Sequence, residues 1–146
     1  MNRDQGFSLL ELLIVVAIIL IIATIAIPSL LRSRQAAQES SAVAQLRTIN
    51  TAEVSYISSN QGSYGDIPSL ITQGLIDSRF SGSVSGYTFT LSASGPNYTA
   101  NANPTSTSAG RFGYYSSPDA VIRYATYQGG TCNPCYPNAL SGAPVQ

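Results

Sequence analysis

The chain has 146 residues, with seven Arg, no Lys, seven Asp or Glu and no His, and its formal net charge is zero. That composition leaves no basic patch to drive specific nucleic-acid binding by counterion release, and it removes the commonest general base and metal ligand, so a Ser/His/Asp set is impossible. The length suits one soluble domain plus one membrane helix.

The first element is an apolar run. From Leu12 to Ile27 there is no charge, Thr24 is the one polar side chain, and twelve positions are Leu, Ile or Val. At roughly −0.3 to −0.6 kcal/mol each near the bilayer centre, these twelve contribute about −4 to −7 kcal/mol toward insertion. One carboxylate, Glu11, stands at the mouth of the run, and Pro28 closes it. An acidic side chain costs roughly 2.5 to 3.5 kcal/mol at the bilayer centre and less near an edge, so the segment inserts despite Glu11. A membrane carboxylate needs a partner, and that need is itself a functional signal.

Gly6-Phe7, Glu11, the run Leu12–Ile27 and Pro28 together resemble the start of the type IV pilin and type II secretion pseudopilin superfamily, over about the first fifth of the chain. The resemblance implies that a prepilin peptidase cuts on the cytoplasmic side between Gly6 and Phe7 and methylates the new Phe7 amine. Residues 1–6 are then a leader, and residues 7–31 a transmembrane and assembly helix. It also implies that Glu11 pairs with the N-terminal amine of a neighbouring subunit during filament assembly. An amine and a carboxylate that are each unfavourable in lipid neutralise one another, and the pair sets axial register. Ser8 stands where Thr is commoner in the family, Leu20 where many members have a helix-loosening Gly, and the leader carries Asp4 beside Arg3. Two other readings use the same run. A secretory signal peptide would be cleaved near Thr24-Ile25-Ala26, but Glu11 is awkward in its apolar core. A plain single-pass anchor would leave Glu11 without a role.

Pro28 predicts a kink, after which the helical pattern resumes. Residues 32–62 read as the amphipathic half of one long helix, with Ala42, Leu46, Ile49, Ala52 and Tyr56 on an apolar stripe and Glu39 and Arg47 off it. Gln61-Gly62 is the predicted stop, with Gly in the left-handed cap conformation. Pro68 and Gly74 bracket a short helical turn whose Leu70, Ile71, Leu75 and Ile76 face back to the main helix. This Gly-Leu-Ile-Asp stretch also resembles the linker before the sheet in pseudopilins and some pilins.

Strands follow. Tyr87–Ala93 alternates strictly, Ser94-Gly95-Pro96-Asn97 is turn chemistry, and Tyr98–Ala102 is a weaker second strand of a hairpin. A polar loop runs from Asn103 to Gly110. Arg111–Tyr115 and Ala120–Tyr127 are the third and fourth strands, separated by a turn at Ser116–Asp119. Sequential hairpins predict an antiparallel meander with its Tyr87/Phe89/Leu91 face on the helix stripe. The Gly- and Pro-rich tail from Gln128 reads as loop.

Chemistry is sparse. Cys132-Asn133-Pro134-Cys135 suits a small disulfide that pins the tail, free or intermolecular thiols, or less readily a redox or metal role; zinc lacks ligands here. Many type IV pilins have a C-terminal disulfide loop, usually a longer one. The acids Glu39, Glu53, Asp66, Asp77 and Asp119 are scattered, with no acid/base couple. Major pseudopilins carry an acidic calcium loop near the C-terminus, and only Asp119 lies in the last third here, which favours a pilus subunit. The many tyrosines suit strand faces and subunit contacts, with a ligand platform or electron path as the alternative. Arg3 precedes the span and Arg32 and Arg34 follow it, so charge leaves orientation open, whereas the two cysteines favour an oxidising exterior.

The expectation is therefore an α+β protein: a long kinked N-terminal helix against a small antiparallel meander, with residues 63–146 holding the linker, sheet and C-terminal loop. Its expected role is a non-enzymatic filament subunit without cofactor or metal. Expected partners are copies of itself and related pilins, a prepilin peptidase, the assembly machinery and the inner membrane, from which the subunit passes to an extracellular pilus. The alternatives are a secretion pseudopilin in a periplasmic filament, and a membrane-anchored domain that never polymerises. In the last case Glu11→Ala would improve insertion instead of abolishing assembly.

Overall fold

The structure, a computed structural model, describes residues 7–126 and 143–145. Two compact units divide the chain after Ser33. One helix, α1 (Leu9–Ser59), contributes to both.

The first unit holds the start of α1. Its Leu, Ile and Val side chains are exposed on every side, from Leu9 at 80% to Val16 at 46%. An unbranched succession of apolar residues gives no inward face, and none is buried. Pro28 lies inside α1, and the helix continues through it. The missing proline N–H leaves the Thr24 carbonyl without its usual partner one turn back. Two hydroxyls of this unit return to the helix itself, Thr24 Oγ1 to the Ile21 carbonyl (2.7 Å) and Ser33 Oγ to the Ser29 carbonyl (3.1 Å).

The second unit holds the rest of α1, a short helix α2 (Ile67–Thr72), a 3-10 turn (Ser78–Ser81) and six strands among the described residues. The strands are β1 (Ser83–Val84), β2 (Tyr87–Ser94), β3 (Asn97–Pro104), β4 (Phe112–Ser116), β5 (Arg123–Thr126) and β6 (Ala143–Pro144). They form one antiparallel sheet in the order β1-β2-β3-β4-β5-β6, the predicted meander. The β2–β3 hairpin is the longest pairing and runs from Tyr87↔Pro104 to Ser94↔Asn97.

Alternation does what the pattern requires. Tyr87 and Phe89 are buried and Leu91 half-buried on one face of β2, while Thr88, Thr90 and Ser92 are exposed on the other. They share a core with Ala42, Leu46, Ile49 and Ala52 of α1, Leu70 of α2, Ile76, Phe80, and Tyr98, Ala100 and Ala102 of β3. Leu46, Ile49 and Leu70 have no exposed surface, and burying each contributes about 1.5 to 3 kcal/mol relative to exposure. Tyr56, the last stripe residue, is half-buried against this core. Gly110 makes room for one large member: a Cβ there would overlap the Tyr87 hydroxyl. That hydroxyl donates to the Phe112 carbonyl at 3.0 Å.

The structure corrects five details. Glu39 is not off the stripe but buried on it, 7% exposed, because it has a partner in Arg111. At the end of α1 both Gln61 (φ 55°) and Gly62 (φ 81°) are left-handed, and the Gly62 N–H reaches the Ile57 carbonyl at 3.2 Å. Gly62 is left-handed as predicted, and the correction is that Gln61 before it is left-handed too and takes the cap position. Asn103 and Pro104 belong to β3, because they pair with Thr88 and Tyr87. Within the described residues the fourth predicted strand begins at Arg123, since Ser117–Ala120 first closes a turn through the Ala120 N–H (2.8 Å). Finally, the tail contributes a two-residue strand, β6, which the Gly/Pro-rich composition concealed.

Candidate functional site

Of the predicted site residues, Phe7 and Glu11 lie at the start of α1. Ser8 stands immediately before the helix and caps it. Its Oγ accepts the Leu10 N–H (3.3 Å), its carbonyl accepts the Leu12 N–H (3.2 Å), and its own N–H donates to Glu11 Oε2 (2.9 Å). This is a near relative of the capping box: the acid three positions on accepts the Ser8 N–H, while the Ser8 hydroxyl accepts from Leu10, one residue short of Glu11. Orphan N–H groups at a helix start attract negative charge, so the carboxylate is favourably placed there. Glu11 thus has a defined orientation, folded back over the first turn beside Phe7. Phe7 is 80% exposed just ahead of the helix. The Ser8-Leu9-Leu10-Glu11 spacing was a readable signal of this arrangement that the apolar run overshadowed.

Gly6, Cys132 and Cys135 lie outside the described residues, so the cleavage step and the thiol pairing have no geometry here. Pro28 lies in α1, well along the chain from Glu11. Among the described residues, no group of three or more His, Cys, Asp or Glu is placed to hold a metal ion.

Alternating apolar signals did not reveal the polar ties that hold the second unit together. Glu39 Oε1 accepts the Arg111 backbone N–H (2.8 Å) and its Nε (3.1 Å), and Oε2 accepts from the guanidinium (3.0 Å). The outer part of the Arg111 side chain stays in solvent. This fork geometry is the strong form of an ion pair, and it joins α1 to the start of β4 across 72 residues. Tyr98 donates its buried hydroxyl to Asn50 Oδ1 at 3.0 Å, and burial pushes that hydroxyl well above the usual tyrosine range, so it remains a donor. Asp119 pairs with Arg123 at 2.7 Å, which holds its carboxyl below the ordinary range. A shallow cavity of about 570 Å³ is lined by Glu39, Phe112, Tyr114, Tyr124 and Val145. Its one ionisable acid, Glu39, is already engaged by Arg111. These contacts tie α1 to β3 and to the start of β4.

Residues 1–27 match the family described as the prokaryotic N-terminal methylation motif. The chain is 45% identical over 56 residues to the type IV major pilin protein PilA of Myxococcus xanthus, a match covering 38% of this chain and 26% of that protein. It is 37% identical over 75 residues to the type IV wide pilus major component PilA4 of Thermus thermophilus, covering 51% of this chain and 57% of the relative. The chain therefore spans about a quarter and somewhat over half the length of these two relatives.

Proposed function

We propose that this chain is a type IV pilin-like structural subunit, processed by a prepilin peptidase and assembled into a surface filament through α1. The observation that carries the reading is the methylation motif over residues 1–27, together with a helix long and apolar enough to cross a membrane whose Leu, Ile and Val side chains from Leu9 to Leu31 are all exposed. The names of both relatives refer to pili, which favours a pilus over a secretion filament.

On this reading the precursor sits in the inner membrane through Leu12–Ile27, with the second unit outside. Cleavage after Gly6 frees the Phe7 amine, which is then methylated. Glu11, already folded over the first turn by its bond to Ser8, presents a carboxylate at the end of the helix where amines of processed subunits come together. Pairing with a neighbour's amine removes two unfavourable charges from lipid and fixes the stagger between subunits. The Leu, Ile and Val side chains then exchange lipid for neighbouring helices. Both surroundings are apolar, so the transfer is small in hydrophobic free energy and is governed by side-chain contact. Pro28 supplies a bend between the lipid and exterior halves, and Cys132 with Cys135 closes a small disulfide loop in the tail. No reaction is catalysed by the chain itself.

Mass spectrometry of the N-terminal peptide from native membranes tests this. The expected peptide begins at Phe7 and is heavier by one methyl group. An intact Met1 would reduce α1 to a plain anchor, and a start near Ile27 would mark the apolar run as a discarded signal sequence.

A further inference from the structure

The least explained group in the second unit is Glu53. It lies on α1 with no exposed surface, among core residues of the helix stripe. Its Oε2 accepts the Gly65 N–H at 3.0 Å, and its Oε1 is buried without a partner. A carboxylate stripped of water and given one main-chain donor is far from satisfied. Nor do its neighbours supply a cation. From the connection between α1 and α2 it faces Asp66, which repels it, and the Tyr64 ring lies against Tyr98 nearby (4.7 Å). From β3 it faces Tyr98, itself raised first by burial, then by Tyr64, and less by Glu53 and Asp119. From its own helix, Tyr56 lies against Gly65, where a Cβ would sit 3.0 Å from the ring carbons, and Asn50 is taken by Tyr98.

The segment that Glu53 holds is short and lightly tied. Residues 60–66 begin with Gln61 in the left-handed region, which a side chain tolerates poorly. Their other ties are Asn60 Nδ2 to the Tyr56 carbonyl (2.9 Å), Gln73 Nε2 to Asn60 Oδ1 (3.5 Å), the Gly62 cap bond, Ser63 N–H to the Asn60 carbonyl (3.1 Å), Tyr64 N–H to the Gly95 carbonyl (3.0 Å) at the tip of the β2–β3 hairpin, and Leu70 N–H to the Asp66 carbonyl (3.0 Å). Asp66, at the far end, caps α2 through the Ser69 N–H (3.0 Å), and Ser69 keeps its carboxyl below the ordinary range. So the segment carries a fixed negative charge next to the buried acid.

We propose that Glu53 and residues 60–66 form a pH-sensitive latch: the segment stays seated on α1 while Glu53 holds its proton, and it opens to water when that proton is lost. Burial, then the repulsion from Asp66, raises Glu53 above its ordinary value of 4.5, against the lowering effect of the Gly65 N–H. Below that value both the seated and the open forms are neutral, and opening does not depend on pH. Above it the open form ionises in water while the seated form does not. Opening therefore gains about tenfold per pH unit until Glu53 ionises in place. The affected surface lies beside the hairpin tip, so the exterior of the unit changes shape with pH.

Hydrogen exchange of the Gly65 amide in the full-length chain in detergent micelles, corrected for intrinsic exchange, reads the latch between pH 4 and 8. Wild type is expected to lose protection about tenfold per pH unit above about pH 4.5 and then level off. Glu53→Gln, the same shape without the titration, is expected to show a flat profile. Asp66→Asn keeps a capping side chain and is expected to level off at lower pH, because it lowers the seated-form value of Glu53. A flat wild-type profile, an unchanged slope in Glu53→Gln, or an unchanged plateau in Asp66→Asn would each overturn the proposal. None of these readouts depends on filament assembly.

Discussion

The Tyr98–Asn50 contact shows how a single polar pair fixes the seat of a helix. Both residues are buried, and the hydroxyl donates to the amide oxygen at 3.0 Å. Tyr98→Phe keeps the ring and its edge-on contact with Tyr64 while stranding Asn50 Oδ1. The expected loss is about 1 to 3 kcal/mol, measured by denaturant unfolding of the second unit, since a buried acceptor without a donor loses its solvation. Tyr98 to Phe paired with Asn50 to Leu should recover part of that loss. This residue-level chemistry was the least legible in the sequence. The stripe of Ala42, Leu46 and Ile49 announced itself by spacing, but Glu39, Asn50 and Glu53 lie on the same face and look like solvated helix residues until their partners are known. Those partners, Arg111, Tyr98 and Gly65, sit 72, 48 and 12 residues away, beyond the reach of any local pattern.

At the level of elements, the end of α1 stops on a residue that is poorly suited to it. The turn needs a left-handed residue at Gln61, and the glycine stands one place later. Gln61→Gly should raise stability by about 0.5 to 1 kcal/mol, because the steric penalty of a side chain at positive φ exceeds the added freedom of the unfolded chain. A thermal melt of the two proteins checks it, and a lowered midpoint would mean that the Gln side chain has a role the geometry does not reveal. The strands were legible where alternation was strict, as in Tyr87–Ala93, and where turn residues bracketed them. β6 was not, because two residues amid Gly and Pro carry no period, and they are recruited only by the free edge of β5. The capping arrangement at Ser8 and Glu11 is the converse case: a local signal fully present in the sequence, yet hidden by the stronger reading of Glu11 as an isolated acid in an apolar run.

For the molecule as a whole, among the described residues every buried apolar residue of the core lies between Ala42 and Ile122, and none comes from the first unit. A chain beginning at Arg34 is therefore expected to fold, to remain soluble without detergent and to melt cooperatively, as gel filtration and circular dichroism would register. An unfolded product would mean that the second unit depends on the membrane half of α1. The order of the strands bears on how such a unit is made. Each strand pairs with the next one along the chain, and from β1 to β5 each pairing closes a short connection and loses little loop entropy, whereas β6 joins β5 only after residues 127–142. The sheet can consequently assemble by successive local zipping, fastest where the β2–β3 ladder is longest, while the distant pairing of Glu39 with Arg111 waits until the sheet exists to receive the helix. A polypeptide threaded through a membrane helix-first would thus hold Glu39 in reserve, unpaired, until Arg111 arrives with the last-emerging third of the chain.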